Sequence, residues 1–161
     1  MSEIAGIAII FYCIYWIISR IIRKINSTKN KMDSEQLFFR ASKNCKYRIF
    51  NDQTGLAVNP AEEKIILING KLIKEYHFND IREWRSMFQS GGFSIGPGVG
   101  SAFYNKGQIE NNKANTGISF RVKDIDHAEW FVRFPYEGDI KANLAKWNEI
   151  LNQYVRERVP E

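Results

Sequence analysis

The stretch Ser90-Gly91-Gly92-Phe93-Ser94-Ile95-Gly96-Pro97-Gly98-Val99-Gly100-Ser101 comes nearest to a site of chemistry. Glycine-rich loops can turn their backbone N–H groups onto a phosphate, but the known forms need more than glycine. A phosphate loop requires Gly-x-x-x-x-Gly-Lys-Ser/Thr, so that the lysine reaches the phosphates. Here Gly100 leads into Ser101-Ala102-Phe103, and Lys106 has no Ser or Thr after it. The dinucleotide fingerprint fails as well, because the glycines fall at Gly96, Gly98 and Gly100 with no βαβ unit around them. Only His77 and His127 titrate near neutrality, and neither has a nucleophile at a suggestive spacing. Cys45 has no histidine close in sequence, and no serine lies in a nucleophile elbow. Asp80, Asp124 and Asp126 sit where turns are expected, which explains an aspartate without catalysis. With no Cys-x-x-Cys or Cys/His cluster either, the sequence predicts no cofactor, no metal and no enzyme. A site assembled from residues distant in the chain is the remaining catalytic alternative.

Binding chemistry has better candidates. Phe88, Phe93, Ile95, Val99, Phe103 and Tyr104 are many apolar side chains for residues 90–116, read here as a long hairpin loop. Such a loop is either simply solvated or meets a membrane surface or a protein partner. Arg82, Arg85, Arg121, Lys123 and Arg133 fall on predicted strands. They would form one basic face for a lipid headgroup or an acidic partner, unless carboxylates neutralise them as ordinary surface ion pairs.

The formal net charge is +5, but it is unevenly placed. Residues 1–31 hold Arg20, Arg23, Lys24, Lys29 and Lys31 against Glu3, and the remainder is nearly neutral. A nucleic-acid binder needs its cations on the folded domain, so that class is not expected. The basic residues instead follow an uncharged run from Ile4 to Ser19 that includes Ile9, Phe11, Trp16 and Ile18. Extended through Ile21 and Ile22, with Arg20 snorkelling, the run approaches the roughly 20 residues that cross a ~30 Å hydrocarbon layer. A cleaved signal peptide would begin with basic residues and end in small ones. A buried or in-plane helix would carry a polar face. The segment is therefore predicted to span the membrane, with Arg20, Arg23 and Lys24 as its cytoplasmic flank and the short N-terminus outside. Cys13 lies within it and Cys45 beyond, so no disulfide is expected between them.

The elements that must position these residues follow in three parts: an anchor over 1–24, a linker with a possible short helix over 25–44, and a folded domain over 45–161. Short β-rich runs at 47–50, 56–58, 64–68, 72–78, 81–88, 118–122 and 130–134 are separated by turn residues. Asn69-Gly70 is a strong hairpin signal. Trp84, Trp130 and Trp147 fall in phase with the core, and His77 falls out of phase with Tyr76 and Phe78, facing solvent. Asp139 caps an amphipathic helix carrying Ile140, Leu144, Trp147, Leu151 and Tyr154. The fold class is α+β, mostly β: about seven antiparallel strands and a C-terminal helix behind one transmembrane helix.

That order, with the Asn69-Gly70 hairpin, the segment Tyr76-His77-Phe78-Asn79-Asp80-Ile81 and the closing helix with Trp147, resembles the pleckstrin-homology-like small barrel. The resemblance implies the fold and no particular ligand. Anchor and domain together resemble small single-span proteins of bacteria and prophages, among them phage superinfection-exclusion proteins of the inner membrane. This layout implies a non-enzymatic, membrane-anchored interaction protein at the cytoplasmic face of the inner membrane. Its partner would be a protein such as a phage DNA-injection apparatus. The alternative is a module that senses anionic lipid.

Overall fold

The structure is a computed structural model that describes the backbone of residues 2–91 and 99–155 and the side chains of residues 12–91 and 105–155. The first helix, α1, runs unbroken over Ser2–Ala41. The polar segment 26–34, expected as a linker or as the end of the first helix, lies inside it, and the short helix expected at 35–40 is its final turns. No Gly or Pro occurs between Gly6 and Gly55, so nothing in the segment interrupts a helix. Its hydroxyls are satisfied by the helix's own carbonyls: Thr28 Oγ1 donates to Lys24 O at 3.0 Å and Ser34 Oγ to Asn30 O at 2.7 Å. At 1.5 Å per residue, α1 is about 60 Å long.

Seven strands follow, each at a predicted run. β1 (Tyr47–Asn51), β2 (Thr54–Asn59), β3 (Lys64–Asn69) and β4 (Leu72–His77) form an antiparallel meander. A single 3-10 turn, Phe78–Asp80, leads into β5 (Ile81–Met87), which with β6 (Gly117–Val122) and β7 (Glu129–Arg133) makes a second antiparallel sheet. Between β5 and β6 lies helix α2 (Val99–Ala114), and α3 (Ile140–Tyr154) ends the fold. The hydrogen-bonded ladders form two sheets of four and three strands, and no closed barrel links them among the described residues.

Alternation on both sheets builds the core. Leu56, Val58, Ile65 and Leu67 point from the first sheet onto Ile118, Phe120, Trp130 and Val132 of the second. Ile140, Leu144, Trp147, Ile150 and Leu151 of α3 cover the join, with Trp147 edge-on to Phe134. Asp139 caps α3 as predicted, accepting from Ala142 N at 3.0 Å. Trp130 and Trp147 are buried and Trp84 packs partly buried against the same core.

The opposite face of the first sheet is also apolar, through Ala57, Ile66 and Ile68, and the last turns of α1 cover it with Phe38. Every residue of β2 is consequently buried. Gly55, which reads in sequence as part of a turn, lies inside β2. A Cβ there would stand 3.0 Å from the Phe38 ring and 2.9 Å from Ile68, so glycine makes the notch that Phe38 fills. The turn itself is Asp52-Gln53, both at positive φ, which costs strain at two non-glycine positions.

Residues 99–114, expected as loop, are the main departure from the sequence reading. Gly100 and Gly107 disfavour helix locally, and tertiary pins at the C-terminal end of α2 offset them. Asn112, fully buried, accepts from Gly91 N at 2.9 Å. Thr116 donates to Asn112 O at 2.7 Å and accepts from Gln89 N at 3.2 Å. Tyr136 reaches Gln89 O at 3.4 Å.

Candidate interaction site

The C-terminal half of α2, the end of β7 and Lys31 of α1 line a cleft of about 530 Å³. Its walls are Lys31 of α1, Asp52 of the β1–β2 turn, Glu110 and Lys113 of α2, and Arg133, Tyr136 and Glu137 at and beyond the end of β7. Three cations, Lys31, Lys113 and Arg133, and three anions, Asp52, Glu110 and Glu137, share its lining.

Arg133 is the most informative wall. Its backbone N–H donates to Thr54 Oγ1 at 2.8 Å, tying β7 across to β2. Its Nη1 donates to Asp52 Oδ2 at 3.1 Å and to Asp52 O at 3.4 Å. Its Nε is shielded from solvent and has no hydrogen-bond partner. A shielded guanidinium N–H without an acceptor carries a desolvation cost, so the side chain is held by its other contact, to Asp52. Beside the cleft, Phe88 stacks on Tyr136 with centroids 6.4 Å apart, and Lys141 Nζ lies 5.2 Å from the Phe88 ring centre. Phe88 and Met87 keep 38% and 47% of their surface exposed, so an aromatic shelf borders a charged rim. The arrangement suits an extended polypeptide with mixed charge and an apolar side chain.

The predicted basic face is placed differently from a lipid site. On the solvent side of the second sheet, Arg121 stands between Glu83 and Glu129 on the neighbouring strands, at 3.2 Å and 3.7 Å. Arg85 also pairs with Glu83, at 3.4 Å. Donation from Arg121 holds the Glu83 carboxyl below the ordinary carboxylate value. This cross-strand ladder neutralises the row it occupies. Arg82, at a bulge, and Lys123 are exposed beside it. Of the basic strand residues, Arg133 alone joins the cleft.

Of the predicted loop set, Phe93 and Ile95 lie outside the described residues. Val99, Phe103 and Tyr104 fall on the backbone of α2, and their side chains are outside the described set. Ile4, Ile9 and Phe11 are on the backbone of α1 with side chains likewise outside it. Trp16, Ile18, Arg20, Arg23 and Lys24 are exposed or nearly so, with Arg20 over the Trp16 ring at 5.3 Å. Among the described residues no helix is long and apolar enough to cross a membrane.

A second polar cluster joins the sheets and was not legible in sequence, because its members lie about fifty positions apart. Asp124 Oδ2 accepts from Lys74 Nζ at 2.6 Å and from the Tyr76 hydroxyl at 2.8 Å. Its Oδ1 accepts from the backbone N–H groups of Asp126 and His127 at 3.0 Å and 3.2 Å. Trp130 Nε1 donates to the Tyr76 oxygen at 3.1 Å. Asp124 is thus the turn former predicted, and also a clasp between the edge strand β4 and the β6–β7 turn. Lys74, then Tyr76, holds the Asp124 carboxyl far below its ordinary range, while burial and then Asp124 push the Tyr76 phenol upward. All five donors find their acceptor, so the cluster reads as structure rather than as a reactive centre. His127 packs against Trp130 with Nδ1 shielded and unpartnered, and His77 is exposed as expected, with Nδ1 accepting from Asn79 N at 3.3 Å. Cys45 is buried, and that burial raises its thiol pKa, which makes it a poor nucleophile. Among the described residues no group of His, Cys, Asp and Glu could hold a metal ion.

Because the Asp124 pKa is depressed on folding, its contribution is complete above the ordinary value of 3.8 and is lost as pH falls through that value toward the folded one. Thermal melts are expected to decline below about pH 4, with a shallower decline in Asp124→Asn. Parallel pH profiles for the two proteins would remove the clasp from this account.

No curated protein and no solved structure matches the chain. Residues 46–158, from the first strand to just beyond the last helix, match the family described as "Domain of unknown function (DUF4755)". The match spans both sheets and α3, and the chain belongs to that family.

Proposed function

We propose that the protein is a non-enzymatic, membrane-anchored interaction module whose cleft beside α1 receives a segment of a protein partner at the cytoplasmic face of the inner membrane. The observation that carries this reading is the shared rim: Lys31 belongs to the helix that begins in the apolar run, and Lys113 and Arg133 belong to the domain. A partner in the cleft would therefore be held next to the bilayer. One helix spans in this reading, N-terminus outside, with Arg20, Arg23 and Lys24 at the inner headgroups. The four-strand meander, three-strand meander and terminal helix support a pleckstrin-homology-like domain over 45–161, as the resemblance implied. The Glu83–Arg121–Glu129 ladder leaves little basis for anionic-lipid sensing on that sheet face.

The partner proposed is an incoming DNA-injection apparatus, giving superinfection exclusion. The test is to express the protein in a susceptible host, challenge with a phage panel, and score plaques, adsorption and DNA entry. Normal adsorption with blocked entry supports exclusion. Loss of that block in Lys31→Glu/Lys113→Glu, with membrane levels unchanged, supports the cleft. Normal plaques across a broad panel remove exclusion. A block indifferent to the double variant removes the cleft.

A further inference from the structure

Between Glu35 and Asp52 the chain carries Arg40, Lys43, Lys46 and Arg48 and no carboxylate. The near-neutral balance of the domain conceals this run, because its acids lie elsewhere. The run falls where the end of α1 meets β1, the edge strand of the first sheet. All four side chains are exposed. Among the described residues none of the four makes an ion pair, whereas Lys64, Lys74, Arg85, Arg121 and Arg133 are each paired. Glu62 and Glu75, whose charges reach Cys45 within the run, are already held by Lys64 at 3.4 Å and 2.6 Å. Lys71 of the β3–β4 turn joins Arg40 in a cleft of about 290 Å³ whose lining holds one carboxylate, Asp33.

Aromatic rings are set between these cations. The Arg48 guanidinium carbon lies 5.9 Å from the centre of the Phe39 ring, and Phe39 keeps 44% of its surface exposed. Phe38, edge-on at 5.5 Å, and Phe50, at 6.4 Å, back that ring, so it is presented on a fixed support. Lys46 Nζ lies 5.2 Å and 5.9 Å from the ring centres of Tyr47 and Tyr154. Those two rings are 5.8 Å apart with their hydroxyl oxygens at 3.4 Å, which ties the start of β1 to the end of α3.

Three kinds of polyanion answer unpaired positive charge: lipid headgroups, an acidic polypeptide and nucleic acid. Setting lipid aside rests on the anchor reading, in which Arg40 stands about 24 Å beyond Lys24 along an unbroken helix, roughly three Debye lengths at physiological salt. An acidic polypeptide would use the cations and leave the exposed ring without a role. A single strand of nucleic acid uses both, with phosphates on the cations and a base on the ring. We infer that the junction of α1 and β1 binds single-stranded nucleic acid through Arg40, Lys43, Lys46 and Arg48, with Phe39 as the stacking platform. Such binding tolerates any sequence, because every base offers a π-face. The site shares no residue with the cleft lined by Lys31, Lys113 and Arg133, so the two stand or fall separately.

The test is fluorescence anisotropy of a labelled oligothymidylate titrated with the full-length chain in a neutral detergent. With four phosphates neutralised, affinity should fall roughly 50-fold between 50 and 200 mM salt. Replacing all four cations (Arg40→Gln, Lys43→Gln, Lys46→Gln and Arg48→Gln) should remove most of the binding and flatten that dependence, with the thermal melt checked against wild type. Arg40→Gln/Lys43→Gln, which disturbs no ring contact, should halve the salt slope and serves if the fourfold variant melts early. Phe39→Leu keeps an apolar side chain against Phe38 and Phe50 but removes the stacking face, and should weaken binding about tenfold with the slope unchanged. No binding at 50 mM salt, or binding that the fourfold variant retains, overturns the site. Poly-glutamate that displaces the label as well as unlabelled oligonucleotide at equal charge, or a Phe39→Leu protein that binds like wild type, overturns nucleic acid as its ligand.

Discussion

Phe38→Ala is expected to lower the thermal midpoint of the protein by roughly 10–20 °C, the equivalent of about 3 kcal/mol in a domain of this size. Phe38 is fully buried at the far end of a helix whose residues 12–37 are mostly exposed. Its ring stacks on Phe50 with centroids 5.4 Å apart and meets Phe39 edge-on at 5.5 Å. Ala57, Ile66, Ile68 and Cys45 complete its surroundings. Truncation removes the transfer energy of the ring and leaves a cavity that a flat sheet face cannot collapse into. It also uncovers an apolar face on the first sheet.

The same substitution should free α1 from the domain, an effect that a melt alone would not reveal. Trypsin cleavage after Arg40 or Lys43 reads it directly. The wild-type chain should resist there, and Phe38→Ala should be cut while the remainder of the domain stays protected. Gly55→Val approaches the same contact from the sheet side. Its side chain would enter the space now held by Phe38, Phe50 and Ile68, and the ring is the member that can leave. Both variants should therefore give one proteolytic pattern from two chemically unrelated changes. A Phe38→Ala protein that melts within a degree of wild type and resists trypsin would show that α1 does not latch onto the sheet.

The contrast between Phe38 and its surroundings shows what the sequence could reveal. The strands were legible because each carries its own period: Ile118, Phe120 and Val122 alternate with polar neighbours, and Trp130, Val132 and Phe134 do the same. The terminal helix was legible from Asp139 and the spacing of Ile140, Leu144, Trp147 and Leu151. What failed was local punctuation. Gly55 looked like a turn and is a packing notch. Gly100 and Gly107 looked like a loop and lie in a helix whose hold comes from Asn112 and Thr116. The segment 26–34 read either as a linker or as the end of the first helix, and the second reading holds because polarity without Gly or Pro does not end a helix. The cleft was illegible for a different reason. Lys31, Asp52, Lys113 and Arg133 belong to four separate elements, and each alone is an ordinary surface charge. Only the unsatisfied Arg133 Nε distinguishes the group, and that is a property of packing.

Two glycine-to-alanine changes should move stability in opposite directions, and the larger is expected to be Gly117→Ala. Gly117 opens β6, the central strand of the second sheet, paired with Met87 on one side and Arg133 on the other. A Cβ there would lie 2.0 Å from the carbonyl oxygen of Val132 and 2.9 Å from its carbonyl carbon. These are backbone atoms, held by the ladder on one side and by the bond from Arg133 N to Thr54 on the other. No rotamer change relieves the clash, so β6 and β7 must part. Overpacking alone costs about 1–3 kcal/mol, and broken ladder hydrogen bonds add about 1 kcal/mol each. Gly117→Ala is therefore expected to lose at least about 3 kcal/mol, with Thr116 and the β5–α2 pin disturbed beside it. Gly107 is the opposite case. It lies within α2 with nothing within 4 Å of an added Cβ, so alanine there should gain about 0.5–1 kcal/mol from helix propensity. Chemical denaturation of both variants decides the matter. A Gly107→Ala protein less stable than wild type would argue that residues 99–114 are not helical in solution, and a tolerated Gly117→Ala would argue that β6 and β7 do not meet as closely as this register requires.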